Sequence, residues 1–148
     1  MKKNDNVNTN KFQNIGVIGF GLIGEAVVQN LTKKKYNCVV FNRTFSKINH
    51  LKNHSNITIV KTLNELASIC NYLLICLTDD NAVESVLKND CFKNSIGKYI
   101  IDLSSISYAA AVKFNLLIEN QGGCYFDSPI SGGPEGARDG TLSIMVGG

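Results

Sequence analysis

The sequence is short of charge, nearly without proline, and free of the apolar runs that mark export or membrane insertion. Charged residues make up 18% of its 148 positions, against 44% hydrophobic ones. That balance describes a globular chain of one domain, long enough to bury a sizeable core. No stretch has the form of a signal peptide or the length of a membrane span. No basic face with interleaved aromatics is present, so the nucleic-acid-binding signature is missing. The formal net charge is only +3, and part of it sits in Lys33-Lys34-Lys35, where it complements the C-terminal dipole of a helix. Five cysteines make an odd count with no CxxC pair, so neither a disulfide framework nor a zinc site is expected. Cys38, Cys76 and Cys124 lie in or beside apolar runs and read as small buried hydrophobes in a reducing compartment, the cytoplasm by default. Residues 1–13, rich in Asn and Lys, read as a disordered polar tail.

What remains is a regular alternation of short apolar runs and helical patterns, the signature of βαβ units around a mostly parallel sheet. Strands are predicted at Ile15–Ile18, Cys38–Asn42, Leu73–Leu77, Tyr99–Leu103, Cys124–Phe126 and Leu142–Val146, with a weaker one at Ile57–Val60. Ile23, Ala26, Val27 and Leu31 recur at helical spacing after the first strand. Thr62 with Glu65 forms a capping box for Leu63–Ile69, and Asn81 with Glu84 repeats it for Ala82–Lys88. Ser107 caps the run Tyr108–Glu119, which Gly122-Gly123 closes. The expected fold is one α/β doubly wound domain over residues 14–148.

Gly19-Phe20-Gly21-Leu22-Ile23-Gly24 is a G-x-G-x-x-G that directly follows a strand and opens an amphipathic helix. In that context it reads as a Rossmann-type dinucleotide loop. The first glycine permits the tight turn, the second lets the backbone approach a pyrophosphate, and the third lets helix and strand pack together. Free N–H groups at the positive helix end then hold the phosphates. The cofactor is chosen at the end of the second strand. An acid there would hold a ribose 2′-hydroxyl, as it usually does in NAD-binding folds. The sequence has Asn42-Arg43-Thr44 instead. Arg43 can pair with a 2′-phosphate and stack on adenine, while Asn42 and Thr44 can donate hydrogen bonds, so NADP (NADPH) is expected over NAD.

Both prolines of the chain fall in one segment, Asp127-Ser128-Pro129-Ile130-Ser131-Gly132-Gly133-Pro134-Glu135-Gly136-Ala137-Arg138-Asp139-Gly140-Thr141-Leu142, together with four glycines. Consecutive N–H groups beside a hydroxyl make a concave anion site, and glycines let a small acid come close. This segment, the glycine loop, Asn42-Arg43-Thr44 and Asp102-Leu103-Ser104-Ser105 together resemble the 3-hydroxyisobutyrate dehydrogenase family of β-hydroxyacid dehydrogenases. That group includes tartronate semialdehyde and glyoxylate/succinic semialdehyde reductases.

The resemblance implies that the glycine loop and Asn42-Arg43-Thr44 bind NADPH, with Leu77 and Thr78 along the cofactor. It implies that Ser104 and Ser105 approach the nicotinamide and the substrate, and that Ser131, Gly132 and Gly133 hold the carboxylate of a small substrate. Departures from the family pattern are Ile23 for Met, Thr78 for Pro, Ser104-Ser105 for Ser-Thr and Tyr108 for Pro. The family's catalytic lysine belongs to a helix beyond the Val-Gly-Gly turn, outside the 148 residues, so the resemblance implies no catalytic residue and no metal ligand among them. Lys98 and Lys113 read as solvated surface charges. The expectation is the cofactor-binding half of an NADPH-dependent β-hydroxyacid dehydrogenase, with little or no turnover by these residues alone. Self-association, or pairing with a separately encoded C-terminal domain, is expected to cover its apolar surface. Two alternatives stand beside it: a non-catalytic NADP-binding module, and a domain like that of 6-phosphogluconate dehydrogenase, suggested by Ser131–Arg138 and ranked behind.

Overall fold

A computed structural model describes residues 14–147, so the predicted polar tail lies outside the described residues. Six four-residue strands, β1 (Ile15–Ile18), β2 (Cys38–Phe41), β3 (Ile57–Val60), β4 (Tyr72–Ile75), β5 (Tyr99–Asp102) and β6 (Cys124–Asp127), form one sheet. Its order is β3-β2-β1-β4-β5-β6, with every neighbouring pair parallel. Helices α1 (Leu22–Lys33), α2 (Leu63–Ile69), α3 (Asp80–Leu87) and α4 (Tyr108–Glu119) supply four of the five connections and two 3₁₀ turns (Phe45–Lys47 and Asn49–Asn53) the one from β2 to β3, which fits strands that are apolar on both faces. Leu66, Val83, Ile100 and Phe114 fill one face, and Val17, Val28, Val40 and Ile48 the other. Each such side chain contributes about 1.5–3 kcal/mol by leaving water.

The helix starts follow local chemistry. Thr62 Oγ1 accepts the Glu65 N–H at 3.1 Å, and Glu65 Oε2 reaches back to the Lys61 N–H at 2.9 Å. Ser107 Oγ caps α4 at Ala110 N–H, 3.2 Å. For α3 the expected cap is corrected: Asp79, not Asn81, accepts the Ala82 N–H at 2.9 Å. An aspartate two residues earlier satisfies the same orphan donors, and Glu84 turns outward to Lys88 and Lys113.

Three other expectations change. Cys124 is exposed, because it opens the edge strand β6. Lys98 is no solvated charge: its ammonium donates to Ala67 O, to Cys70 O at 2.9 Å and to Asn71 Oδ1 at 3.1 Å. Lys113, by contrast, stays at the surface as expected, where it pairs with Glu84 at 2.7 Å, a contact worth under about 1 kcal/mol. The glycine-rich C-terminal segment also folds further than a turn. It forms β7 (Ile130–Ser131), α5 (Gly133–Asp139) and β8 (Ser143–Ile144), with β7 and β8 antiparallel and Leu142–Val146 mostly outside any ladder. Helix α5 lies against α1, where Asn30 Nδ2 donates to Arg138 O at 2.8 Å and Arg138 Nε to Gln29 Oε1 at 3.2 Å. No helix among the described residues is long and apolar enough to cross a membrane.

Candidate functional site

The strand order turns around between β1 and β4: β2 and β3 lie to one side, β5 and β6 to the other. At such a switch point the loops leaving the C-terminal strand ends part and open a crevice. Here the crevice consists of two adjoining cavities, of about 340 Å³ and 390 Å³, which share Gly21, Cys76, Leu77 and Thr78 in their walls.

The glycine loop floors both cavities, and its three glycines do different work. At Gly19 the backbone has φ +97°, and a Cβ would stand 2.3 Å from Cys76 O. A Cβ on Gly24 would stand 2.0 Å from Gly19 O, so only glycine lets α1 close on the loop. Gly21 has nothing within 4 Å of such a Cβ, so a side chain there would protrude into open space at the crevice. Gly21 caps α1 without a side chain, and the N–H groups of Leu22, Ile23 and Gly24 have no acceptor among the described residues. Three orphan donors at a helix N-terminus fit an anion.

The smaller cavity is the cationic one. Asn42 ties the two loops together: its Oδ1 accepts the Phe20 N–H at 3.0 Å and its Nδ2 donates to Thr44 O at 2.9 Å. Asn42 thus braces the loop first, leaving exposed Arg43 and Thr44 to face a ligand. Lys47, missed in the sequence, joins Arg43 in the wall. It stands on a 3₁₀ turn (Phe45–Lys47) after the extended residue Thr44, and no local sequence pattern ties it to Arg43. Ser85 and Ala82 were missed as well, although their i, i+3 spacing on α3 puts them on one face. Opposite, the Ala82 N–H and the Thr78 hydroxyl hold the Asp79 carboxyl below its ordinary value, with Arg43 adding a smaller attraction.

The larger cavity is walled by hydroxyls and apolar groups. Ser105 is exposed, whereas Ser104 is buried and its Oγ accepts the Leu77 N–H at 3.0 Å. Behind it Asp102 Oδ1 accepts the Ser104 N–H at 2.9 Å, and Asp102 Oδ2 accepts the Tyr125 hydroxyl at 2.7 Å. Burial pushes the Asp102 carboxyl up, opposed by those hydrogen bonds from Ser104 and Tyr125. Burial also raises Tyr125, with Asp102 adding to it, and pushes the Cys76 thiol up to about 12. Cys76 is therefore a neutral wall group.

Of the sequence-predicted residues, Gly19 through Gly24, Asn42, Arg43, Thr44, Leu77, Thr78, Ser104, Ser105 and Gly133 all line this crevice. Ser131 and Gly132 do not: Ser131 is held in β7 opposite Ser143, and Gly132 stands at the start of α5 with φ +129°.

A parallel sheet with its switch point above a glycine loop, and orphan N–H groups aimed into a crevice, define a doubly wound dinucleotide-binding domain. Residues 14–148 match the family model described as the NAD binding domain of 6-phosphogluconate dehydrogenase, and the chain belongs to that family. Among curated proteins it is 36% identical over 137 residues to 2-hydroxy-3-oxopropionate reductase of Escherichia coli (strain K12), covering 90% of this chain and 46% of that protein. Among solved structures, Mycobacterium tuberculosis 3-hydroxyisobutyrate dehydrogenase with L-serine shares the fold, with a TM-score of 0.83 at 24% identity over 93% of this chain and 47% of the other. Psf3, solved in complex with NADP+ and 2-OPP, aligns with a TM-score of 0.83 at 27% identity, over 89% of this chain and 48% of its own. The chain thus spans about half the length of these relatives and is a pyridine-nucleotide-binding domain.

Proposed function

We propose that this chain is the cofactor-binding domain of an NADP-dependent oxidoreductase that acts on a small β-hydroxy acid or its semialdehyde. The observation that carries the cofactor choice is the wall of the smaller cavity, where Arg43 and Lys47 stand at the end of β2 in place of an acid. Two cations attract a 2′-phosphate that a carboxylate would repel, and the guanidinium can pair with it in a bidentate way. The orphan N–H groups of Leu22, Ile23 and Gly24 take the pyrophosphate, and Gly21 lets it approach the backbone. Leu77, Thr78 and Ser105 then lie along the cofactor toward its reactive ring. The cofactor, when bound, supplies or accepts a hydride.

The Escherichia coli relative is named for reduction of a small oxo acid, and Gly133, with φ +63° in the wall of the larger cavity, lets a small acid approach the backbone there. The larger cavity has no lysine, histidine, aspartate or glutamate among its lining residues. These residues therefore bind and orient, and none of them is assigned the proton transfer of the reaction. The experiment is calorimetric titration of the protein with NADP+, followed by 3-hydroxyisobutyrate or 2-hydroxy-3-oxopropionate titrated into the NADP+-saturated sample. Saturable binding of the acid only after NADP+ is expected. Acid binding that is indifferent to NADP+ would remove the substrate half of the proposal.

A further inference from the structure

Parallel strands exchange regular backbone hydrogen bonds until they part, and at that point each loose N–H needs another acceptor. Beyond β4 the Cys76 N–H still reaches Ile18 O at 2.9 Å, and across the sheet the Leu103 N–H reaches Ile75 O at 2.9 Å. Leu77 comes next. Its N–H goes to a side chain, the Ser104 hydroxyl, on the neighbouring strand's loop. Leu77 lines both cavities, so this one bond sets where the shared wall stands.

Ser104 is itself held from behind. Asp102, buried and absent from either cavity wall, accepts the Ser104 N–H through one oxygen and the Tyr125 hydroxyl through the other. Both partners are donors, which suits an ionised carboxylate, an acceptor at both oxygens. Tyr125 is fixed in turn by its edge contact with Phe114 of α4, ring centroids 6.3 Å apart. Building on the cofactor reading above, we propose that Asp102 is a positioning residue, holding Ser104 so that its hydroxyl fixes the Leu77 N–H and thereby the wall against which either pyridine nucleotide lies.

The chain Tyr125–Asp102–Ser104–Leu77 predicts a pattern that stability alone would not produce. Ser104→Ala removes the acceptor of the Leu77 N–H, so NADPH and NADH should both bind about tenfold more weakly, the equivalent of one ordinary hydrogen bond. Amide hydrogen exchange at Leu77 in the ligand-free variant should speed up by a similar factor. Asp102→Asn keeps one carbonyl acceptor for the Ser104 N–H and should lose less. Adding it to Ser104→Ala should cost little more than Ser104→Ala alone, because both act through one bond. Ser95→Ala serves as the control for stability. It removes a buried hydroxyl bonded to Phe92 O at 2.7 Å, far from the crevice lining, and should leave both dissociation constants unchanged. A folded Ser104→Ala variant with wild-type cofactor affinity, or with unchanged Leu77 exchange, overturns the inference alone. Failure of the wild-type protein to bind any pyridine nucleotide overturns the functional reading and this inference with it.

Discussion

Two helix ends on opposite sides of the parallel sheet, the C-terminus of α2 and the N-terminus of α1, treat their loose backbone groups in opposite ways. Near the N-terminal strand ends the last carbonyls of α2 are sealed by the Lys98 ammonium, which donates to Ala67 O, Cys70 O and Asn71 Oδ1. The rings of Tyr72 and Tyr99 stack beside it, centroids 5.1 Å apart. At the C-terminal ends the first N–H groups of α1 have no acceptor among the described residues, and the residue that would cap them is a glycine. An unpaired helix end costs free energy unless something satisfies it, so the open end is where a ligand belongs. Stability is kept at one end and binding capacity at the other.

The largest effect should come from closing the glycine loop. Gly24→Ala forces a Cβ against Gly19 O, at a distance no real Cβ tolerates. A loss of about 3 kcal/mol in urea unfolding is expected, with cofactor binding lost as well. At the sealed end, Lys98→Met should cost about 2 kcal/mol through the unpaired carbonyls, with NADPH affinity unchanged. An affinity loss there would break the division between the two ends. Gly21→Ala sharpens it from the other side. Its Cβ meets no protein atom, so stability should change by under about 1 kcal/mol while calorimetry finds cofactor binding weakened by about 100-fold.

Alkaline pH should produce the smallest change. Burial pushes Cys38 and Cys70 up to about 11 and Cys76 to about 12. These thiols stay protonated in the fold while the unfolded chain releases its protons near pH 9. Their contribution is therefore complete below pH 9 and declines as pH rises toward 11–12. The midpoint of thermal unfolding should fall across that window, and a midpoint that rises would contradict the assignment.

Much of the open end was legible in the sequence. The glycine loop needs only its local spacing and a strand before it, and the end of β2 announces itself through Asn42-Arg43-Thr44. The caps at Thr62 and Ser107 are equally local. The sealed end was not legible, because Lys98 finds its partners 27 to 31 residues away and nothing beside it in the chain suggests them. Helix α5 was hidden for a related reason. Gly133-Pro134-Glu135-Gly136 has poor helix propensity, and it is packing against α1 that holds it. The occupied hydroxyl of Ser104 was equally invisible, since it depends on how two strand ends diverge. Local chemistry could be read directly, whereas contacts between distant residues required the fold.

The choice between the two nucleotides rests on what Arg43 recognises. Parallel calorimetric titrations of NADPH and NADH against the wild-type protein and Arg43→Asp test this directly. The prediction is that wild type binds NADPH at least about tenfold more tightly, and that Arg43→Asp erases or reverses that preference while leaving NADH affinity within about threefold. Equal affinity of the wild-type protein for both nucleotides would contradict it.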